Sequence, residues 1–226
     1  MQKNILYGIA GLILGLAIGF FGANTINRDA SLPQSISAEQ GMSAVGLPAN
    51  PPNSQGGMQA DVSATLQKAD TEPQNFAAQM KAGDMYAQIG KFDKAIEVYK
   101  RGTALRPADY QANVVLANAY FDSRQFEEAE GFYTKALEIN SKDVNARTDL
   151  GTTFVERQNP DYDRAIKEFR TALAIQPKHE PTLYYLGVAY FRKGDAEKAN
   201  QALSELENIN PASELIERLH KHMSAK

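Results

Sequence analysis

Between Phe76 and Pro211 one order of small, aromatic and apolar positions comes round four times. The last copy shows it as Leu186-Gly187, Tyr190, Ala199, Leu203 and Pro211. The third has Leu150-Gly151, Phe154, Ala165, Phe169 and Pro177, and the second Leu116-Ala117, Tyr120, Ala129 and Tyr133, with Ser141 in the proline's place. The first has Ala82-Gly83, Tyr86, Ala95, Tyr99 and Pro107, and matching positions of the first helices lie 34, 34 and 36 residues apart. Each copy divides into two helices: 76–89 with 92–105, 110–123 with 126–139, 144–157 with 162–175, and 180–193 with 196–209. Proline after the second helix of three copies stops it, because proline lacks the donor and disfavours a helical predecessor. Asn75, Asp109 and Asp143 stand where N-caps belong.

These residues resemble the tetratricopeptide repeat, whose small, aromatic, Ala, aromatic, Pro signature recurs at this period. The resemblance implies an all-α fold: a right-handed superhelical solenoid of four helix hairpins over 73–211 (76–109, 110–143, 144–179 and 180–211). A capping helix over 212–226 is expected to close it. Each hairpin cannot bury its apolar face alone and stacks on its neighbours. Gly83, Ala117, Gly151 and Gly187 are then the small residues of the first helices at the closest approach, opposite Ala95, Ala129, Ala165 and Ala199. Tyr86, Tyr120, Phe154 and Tyr190 read as core, not as a cofactor box. The two extra residues of the third copy, around Arg157–Asp161, are expected to loop outward. After Pro211, Leu215, Ile216, Leu219 and Met223 form one apolar stripe.

The hydropathy pattern before the repeats is different. Ile5 to Ala23 is a run of 19 residues without a charge, about 28 Å long as a helix and so close to a bilayer's hydrocarbon thickness. Its length, and Phe21 where a small residue would precede a cleavage site, favour a transmembrane anchor over 1–23 against a cleaved signal peptide. Lys3 and the terminal amine precede the span and Arg28 alone follows it closely, so the positive-inside tendency places the repeats on the periplasmic side of an inner membrane. Gly11, Gly15 and Gly19 fall every four residues and offer a packing face for another helix or a second copy, although glycine is also simply common in membrane helices. Residues 24–72, rich in Pro, Gly, Ser and Gln, read as a flexible spacer with a root-mean-square reach of about 35–42 Å. Within it Val62 and Leu66 suggest one short helix over Asp61–Ala69.

Composition narrows the chemistry. From Phe76 onward 21 Lys/Arg stand against 22 Asp/Glu, so the basic footprint of a nucleic-acid binder is missing. The chain has no cysteine, which excludes disulfides, thiolate metal sites and a thiol nucleophile. His220 and His222 lie about 200° apart on a helix and cannot grip one metal. No phosphate-cradling loop or nucleophile elbow is present. No catalytic residue, metal or cofactor is therefore expected, and the array reads as a binding surface for protein or peptide.

The resemblance implies a concave groove lined by the first helices. Helical spacing assigns to it Met80, Asp84 and Gln88; Gln111, Val114, Asn118, Phe121 and Asp122; Asn145, Thr148, Asp149, Thr152 and Glu156; and Tyr184, Tyr185, Val188, Phe191 and Arg192. A carboxylate clamp known in the family needs basic residues where this chain has Met80, Asp84, Val115, Asn145 and Asp149. The expected groove instead has an acidic floor (Asp84, Asp122, Asp149, Glu156) and an aromatic patch (Phe121, Tyr184, Tyr185, Phe191), suited to a segment with apolar anchors and positive charge. The functional expectation is a non-enzymatic, membrane-tethered scaffold in assembly or maturation of an envelope complex. The alternative is a permanent structural subunit packed through its glycine-striped helix.

Overall fold

The computed structural model describes residues 54–224, and the expected anchor, its glycines Gly11, Gly15 and Gly19, and the spacer up to residue 53 lie outside the described residues. Among the described residues there are ten α-helices and no strand. The first, α1, covers Ser54–Thr71. Four hairpins follow: α2 (Phe76–Gln88) with α3 (Phe92–Leu105), α4 (Tyr110–Asp122) with α5 (Phe126–Ile139), α6 (Val144–Glu156) with α7 (Tyr162–Ile175), and α8 (Glu180–Lys193) with α9 (Ala196–Ile209). The last helix, α10, covers Glu214–Ser224. None of these helices is long and apolar enough to cross a membrane.

The expected starts hold in atomic detail. Asn75, Asp109 and Asp143 each accept from the backbone N–H three residues on, at 3.1, 2.9 and 2.7 Å. Each satisfies one of the donors a helix leaves orphaned at its N-terminus. Inside every hairpin the turn closes on the aromatic's own carbonyl. Tyr86 O accepts from Lys91 N, Tyr120 O from Gln125 N and Tyr190 O from Asp195 N, at 2.8–2.9 Å. In the third hairpin Phe154 O accepts from Asp161 N at 2.9 Å, so the two extra residues are held inside the same closure and the stack is undisturbed.

Small residues do what the pattern demands. A Cβ on Gly83 would lie 2.2 Å from the Tyr99 ring, and one on Gly151 2.5 Å from Phe169. Ala117 takes the matching place in the second hairpin and is itself buried. Tyr133, Phe154, Phe169, Leu116 and Leu183 are almost completely removed from water, each stabilising the fold by roughly 1.5–3 kcal/mol relative to exposure. One continuous core runs from Ala95 in α3 to Leu219 in α10.

One expectation needs correction. Residues 54–71 of the expected spacer are helical, and α1 packs on α2, burying Ala69 to 1 % exposure. The cause is a side-chain clamp: Gln79, itself fully buried, donates to Ala69 O at 2.6 Å. The turn from α1 into α2, Asn75 N to Glu72 O at 2.9 Å, recurs between hairpins as Asp109 N to Arg106 O at 3.0 Å. Thus α1 stands where the second helix of a preceding unit would stand. The expected capping helix is present as α10, with Leu215, Ile216, Leu219 and Met223 toward the core. It packs chiefly on α8, and α9 presents its own polar side, Glu197, Asn200, Gln201, Ser204 and Glu207, to water.

Candidate partner-binding groove

The first helices α2, α4, α6 and α8 share one side of the stack, and α6 and α8 touch directly along it. The residues expected to line this side divide into those that reach solvent and those that turn inward. Gln88, Gln111 and Asn145 are exposed, while Asn118, Phe121, Asp122, Asp149, Glu156 and Tyr185 are half-buried. Four others are core and correct the expectation: Thr148, Thr152, Tyr184 and Val188. Thr148 and Thr182 share a hydrogen bond of 2.6 Å between α6 and α8, and Thr152 donates to Thr148 O at 2.9 Å. Met80 and Val114 pack against the core, with the Met80 sulfur wedged at Gly102. Helical spacing alone missed this because α6 and α8 also pack on each other, besides the second helices on either side of them.

The carboxylates have different fates. Asp84 accepts from the Tyr99 hydroxyl at 2.6 Å, and burial raises its pKa against that bond's opposing effect. Glu156 is paired with Arg192 at 2.8 Å across α6 and α8, so both ends of that ion pair are spoken for. Asp122 and Asp149 have no such partner among the described residues. Burial alone pushes Asp122 up to about 6. Burial, then the negative charges of Asp143 and Asp122, push Asp149 up to about 7. Taking an ionised carboxylate out of water without a counter-charge is costly, so burial favours the protonated form of each.

Aromatic rings flank this pair. Tyr185 stacks on Phe169 with centroids 6.2 Å apart and meets Tyr184 edge-on at 5.0 Å. Its hydroxyl is pushed up to about 12 by burial first and then by Asp149. Phe121 meets Phe126 edge-on at 5.4 Å. At the far end α10 covers Tyr184, with the Arg218 guanidinium 5.1 Å from the ring centroid and the His222 ring edge-on at 6.0 Å. The arrangement offers two carboxylates held above their ordinary range on the same side of the stack as Phe121 and Tyr185. Among the described residues no group of His, Asp and Glu could hold a metal ion.

The comparisons agree with this geometry. A family model described as a tetratricopeptide repeat matches residues 60–110 and 81–144. A second, described as the middle TPR-like domain of cilia and flagella-associated protein 70, matches residues 114–220. The first match begins within α1, as expected if α1 is the second helix of an incomplete unit. Among curated proteins the chain is similar to the BBSome complex member BBS4 of Bos taurus, 29 % identical over 125 residues, covering 55 % of this chain and 24 % of that protein. It is also similar to anaphase-promoting complex subunit 6 of Arabidopsis thaliana, 30 % identical over 98 residues, covering 43 % and 18 %. The matched stretch thus spans less than a quarter of either relative. The crystal structure of MamA superposes with a TM-score of 0.63 at 22 % identity, covering 70 % of this chain and 91 % of that one. A tetratricopeptide repeat protein from Parabacteroides merdae superposes with a TM-score of 0.58 at 20 % identity, covering 66 % and 58 %. At such identities the structural matches speak for the fold alone. The repeat signature, the hairpin stack and the two family models, which together span residues 60–220, show that this part of the chain is built of tetratricopeptide-type repeats.

Proposed function

We propose that the chain is a non-enzymatic adaptor whose first-helix groove captures a polypeptide segment carrying apolar anchors and a lysine or arginine. Repeat arrays of this family serve as protein-interaction scaffolds, and the groove chemistry selects the ligand. The observation that carries the reading is the Asp122 and Asp149 pair, half-buried, held above the ordinary carboxylate range and without a cation. A partner's ammonium or guanidinium set between them would let both ionise, and the contact would gain the charge-assisted hydrogen bonds the free protein lacks. Tyr185 and Phe121 would take the flanking apolar side chains.

The uncharged run Ile5–Ala23 supports a membrane tether, and the charge bias around it supports placing the repeats on the periplasmic side of an inner membrane. On this reading the adaptor works in assembly or maturation of an envelope complex. The test is crosslinking of the full-length protein in its own membranes, beside Asp122→Asn/Asp149→Asn and beside a form beginning at Pro51. The double substitution should lose the groove crosslinks at unchanged helix content, and the shortened form should leave the membrane fraction. Intact crosslinks in the double variant would refute the groove, and a shortened form that still sediments with membranes would refute the tether.

A further inference from the structure

Each first helix of the stack is gripped mainly by the second helix of its own hairpin, across the contact where Gly83 meets Tyr99 and Gly151 meets Phe169. The last helix breaks that rule. α10 starts through the same turn that starts every unit, Ser213 N donating to Asn210 O at 3.0 Å as His179 N does to Gln176 O at 3.2 Å. Among the described residues no second helix follows to hold it. It leans instead on α8 and drives Leu219 against Gly187, where the ring of a second helix sits in earlier hairpins. Leu203, the matching residue of α9, is replaced there by Leu219 as the nearest neighbour of Gly187.

The hold is narrow. Leu219 is the only buried side chain of α10, at 0 % exposure, and Leu215, Ile216 and Met223 are half-buried beside it. Arg218 lies over the Tyr184 ring, the cation and the apolar anchor together filling the aromatic end of the groove. The entry turn is tied by Glu180, which accepts from Ser213 Oγ at 2.6 Å and from Asn210 Nδ2 at 3.1 Å. A release of α10 therefore turns about residues 210–213 and leaves the hairpin stack in place.

We propose that α10 is an exchangeable occupant of this end of the groove, and that a partner's amphipathic helix bearing a leucine next to an arginine takes the same seat. The proposal rests on the groove reading above and adds to it the class of ligand and the means of closing the site. A seated example of the ligand carries it: α10 places Arg218 over the Tyr184 ring and Leu219 against Gly187, and the groove continues from Tyr184 to the adjoining ring of Tyr185. A helix attached in cis competes at an effective concentration in the millimolar range, so the closed form should suppress weak ligands and yield to strong ones.

The probe is a fluorescent synthetic peptide of residues 212–226, titrated into the full-length protein by anisotropy. Leu219→Asp in the protein evicts the cis helix and should tighten peptide binding about tenfold or more over wild type. A peptide carrying Leu219→Asp should not bind. Because the chain is free of cysteine, a reversible lock is available in Gly187→Cys/Leu219→Cys. A Cβ at Gly187 lies 3.5 Å from Leu219 Cγ, where a cysteine sulfur would stand. Read with a peptide carrying Leu219→Ala, whose short side chain leaves room for the new side chain at 187, oxidation should abolish peptide binding and reduction should restore it in the same sample, which keeps the test valid even if Leu219→Asp fails to fold. Equal binding by the oxidised and reduced lock, or no binding by any form at millimolar peptide, would overturn the exchange. That failure alongside intact crosslinks at Asp122 and Asp149 would sink the exchange and spare the groove. Peptide exchange alongside crosslinks indifferent to Asp122→Asn/Asp149→Asn would do the reverse.

Discussion

The Tyr99 hydroxyl donates to Asp84 at 2.6 Å, and 34 residues on Tyr133 donates to Asn118 at 2.7 Å. The same two positions carry Phe169 with Thr152 in the third hairpin and Leu203 with Val188 in the fourth. A bond between the two helices of a hairpin thus gives way to apolar contact along the stack. Asp84 is exposed, whereas Tyr133 is 2 % exposed and its partner half-buried. Water can replace the lost partner at Asp84 but reaches Asn118 poorly. Tyr133→Phe should therefore cost about 1 kcal/mol and Tyr99→Phe about half that or less. Urea melts of the two variants check it, and a larger loss at Tyr99 would contradict the burial argument.

Two glycines in helices should respond with opposite sign to alanine. At Gly151 the added Cβ meets Phe169 ring carbons at 2.5–2.9 Å, and Phe169 is itself fully buried with no room to retreat. Gly151→Ala should cost about 1–3 kcal/mol. At Gly131, inside α5, nothing lies within 4 Å of the new atom. Gly131→Ala removes backbone freedom from the unfolded chain and should stabilise by roughly 0.5–1 kcal/mol. Thermal melts of both variants decide it.

The hairpins were legible because each level of the sequence agrees. The 34-residue register, the capping Asn75, Asp109 and Asp143, and the small-residue positions all name the same helices. The third hairpin's insertion was legible for the same reason, its signature residues being intact on both sides. The groove was less so. Thr148, Thr152, Tyr184 and Val188 sit at spacings that suit a surface, but a first helix packs against its own partner, the preceding second helix and the next first helix at once. Periodicity cannot say which flank is free when only a narrow strip is. Tyr184 is hidden by α10, a long-range contact that no local pattern announces.

Stability should fall as pH rises from about 4 to 7, through two groove residues. Asp149 holds its proton up to about 7 in the folded chain and Asp122 up to about 6, against an ordinary value of 3.8. The folded state therefore binds more protons than the unfolded one across that window. The stability this supplies is complete below about pH 4 and is lost as pH climbs through the raised values. Asp149→Asn removes the ionisation. With solvent screening allowed for, it should be about 1–2 kcal/mol more stable than wild type at pH 8 and nearly equal at pH 4. Denaturant midpoints at the two pH values measure the difference, and an equal gap at both would show that the carboxylate ionises freely in the fold.

The last prediction concerns α1, the helix the composition concealed. Its described apolar positions are few, Val62, Ala64, Leu66 and Ala69, and Gln, Ser, Asp and Lys fill most of the rest, so no amphipathic stripe stands out. One signal was available: Pro73 precedes Pro107 by 34 residues, continuing the repeat register one unit backwards. What holds the helix is polar. Gln79 donates to Ala69 O at 2.6 Å while its own oxygen accepts from Arg101 Nε at 2.8 Å, and Arg101 reaches Asp70 at 3.6 Å. Gln79→Leu keeps the volume but leaves the carbonyl at the end of α1 and the Arg101 guanidinium without their shared partner, a cost of about 1–3 kcal/mol. Because contacts in a stacked array are between neighbours, the loss should stay local. Amide exchange in α1 should speed up while α6 to α9 remain as protected as in wild type. Uniform acceleration across all hairpins would instead make α1 part of a single cooperative unit with the whole stack.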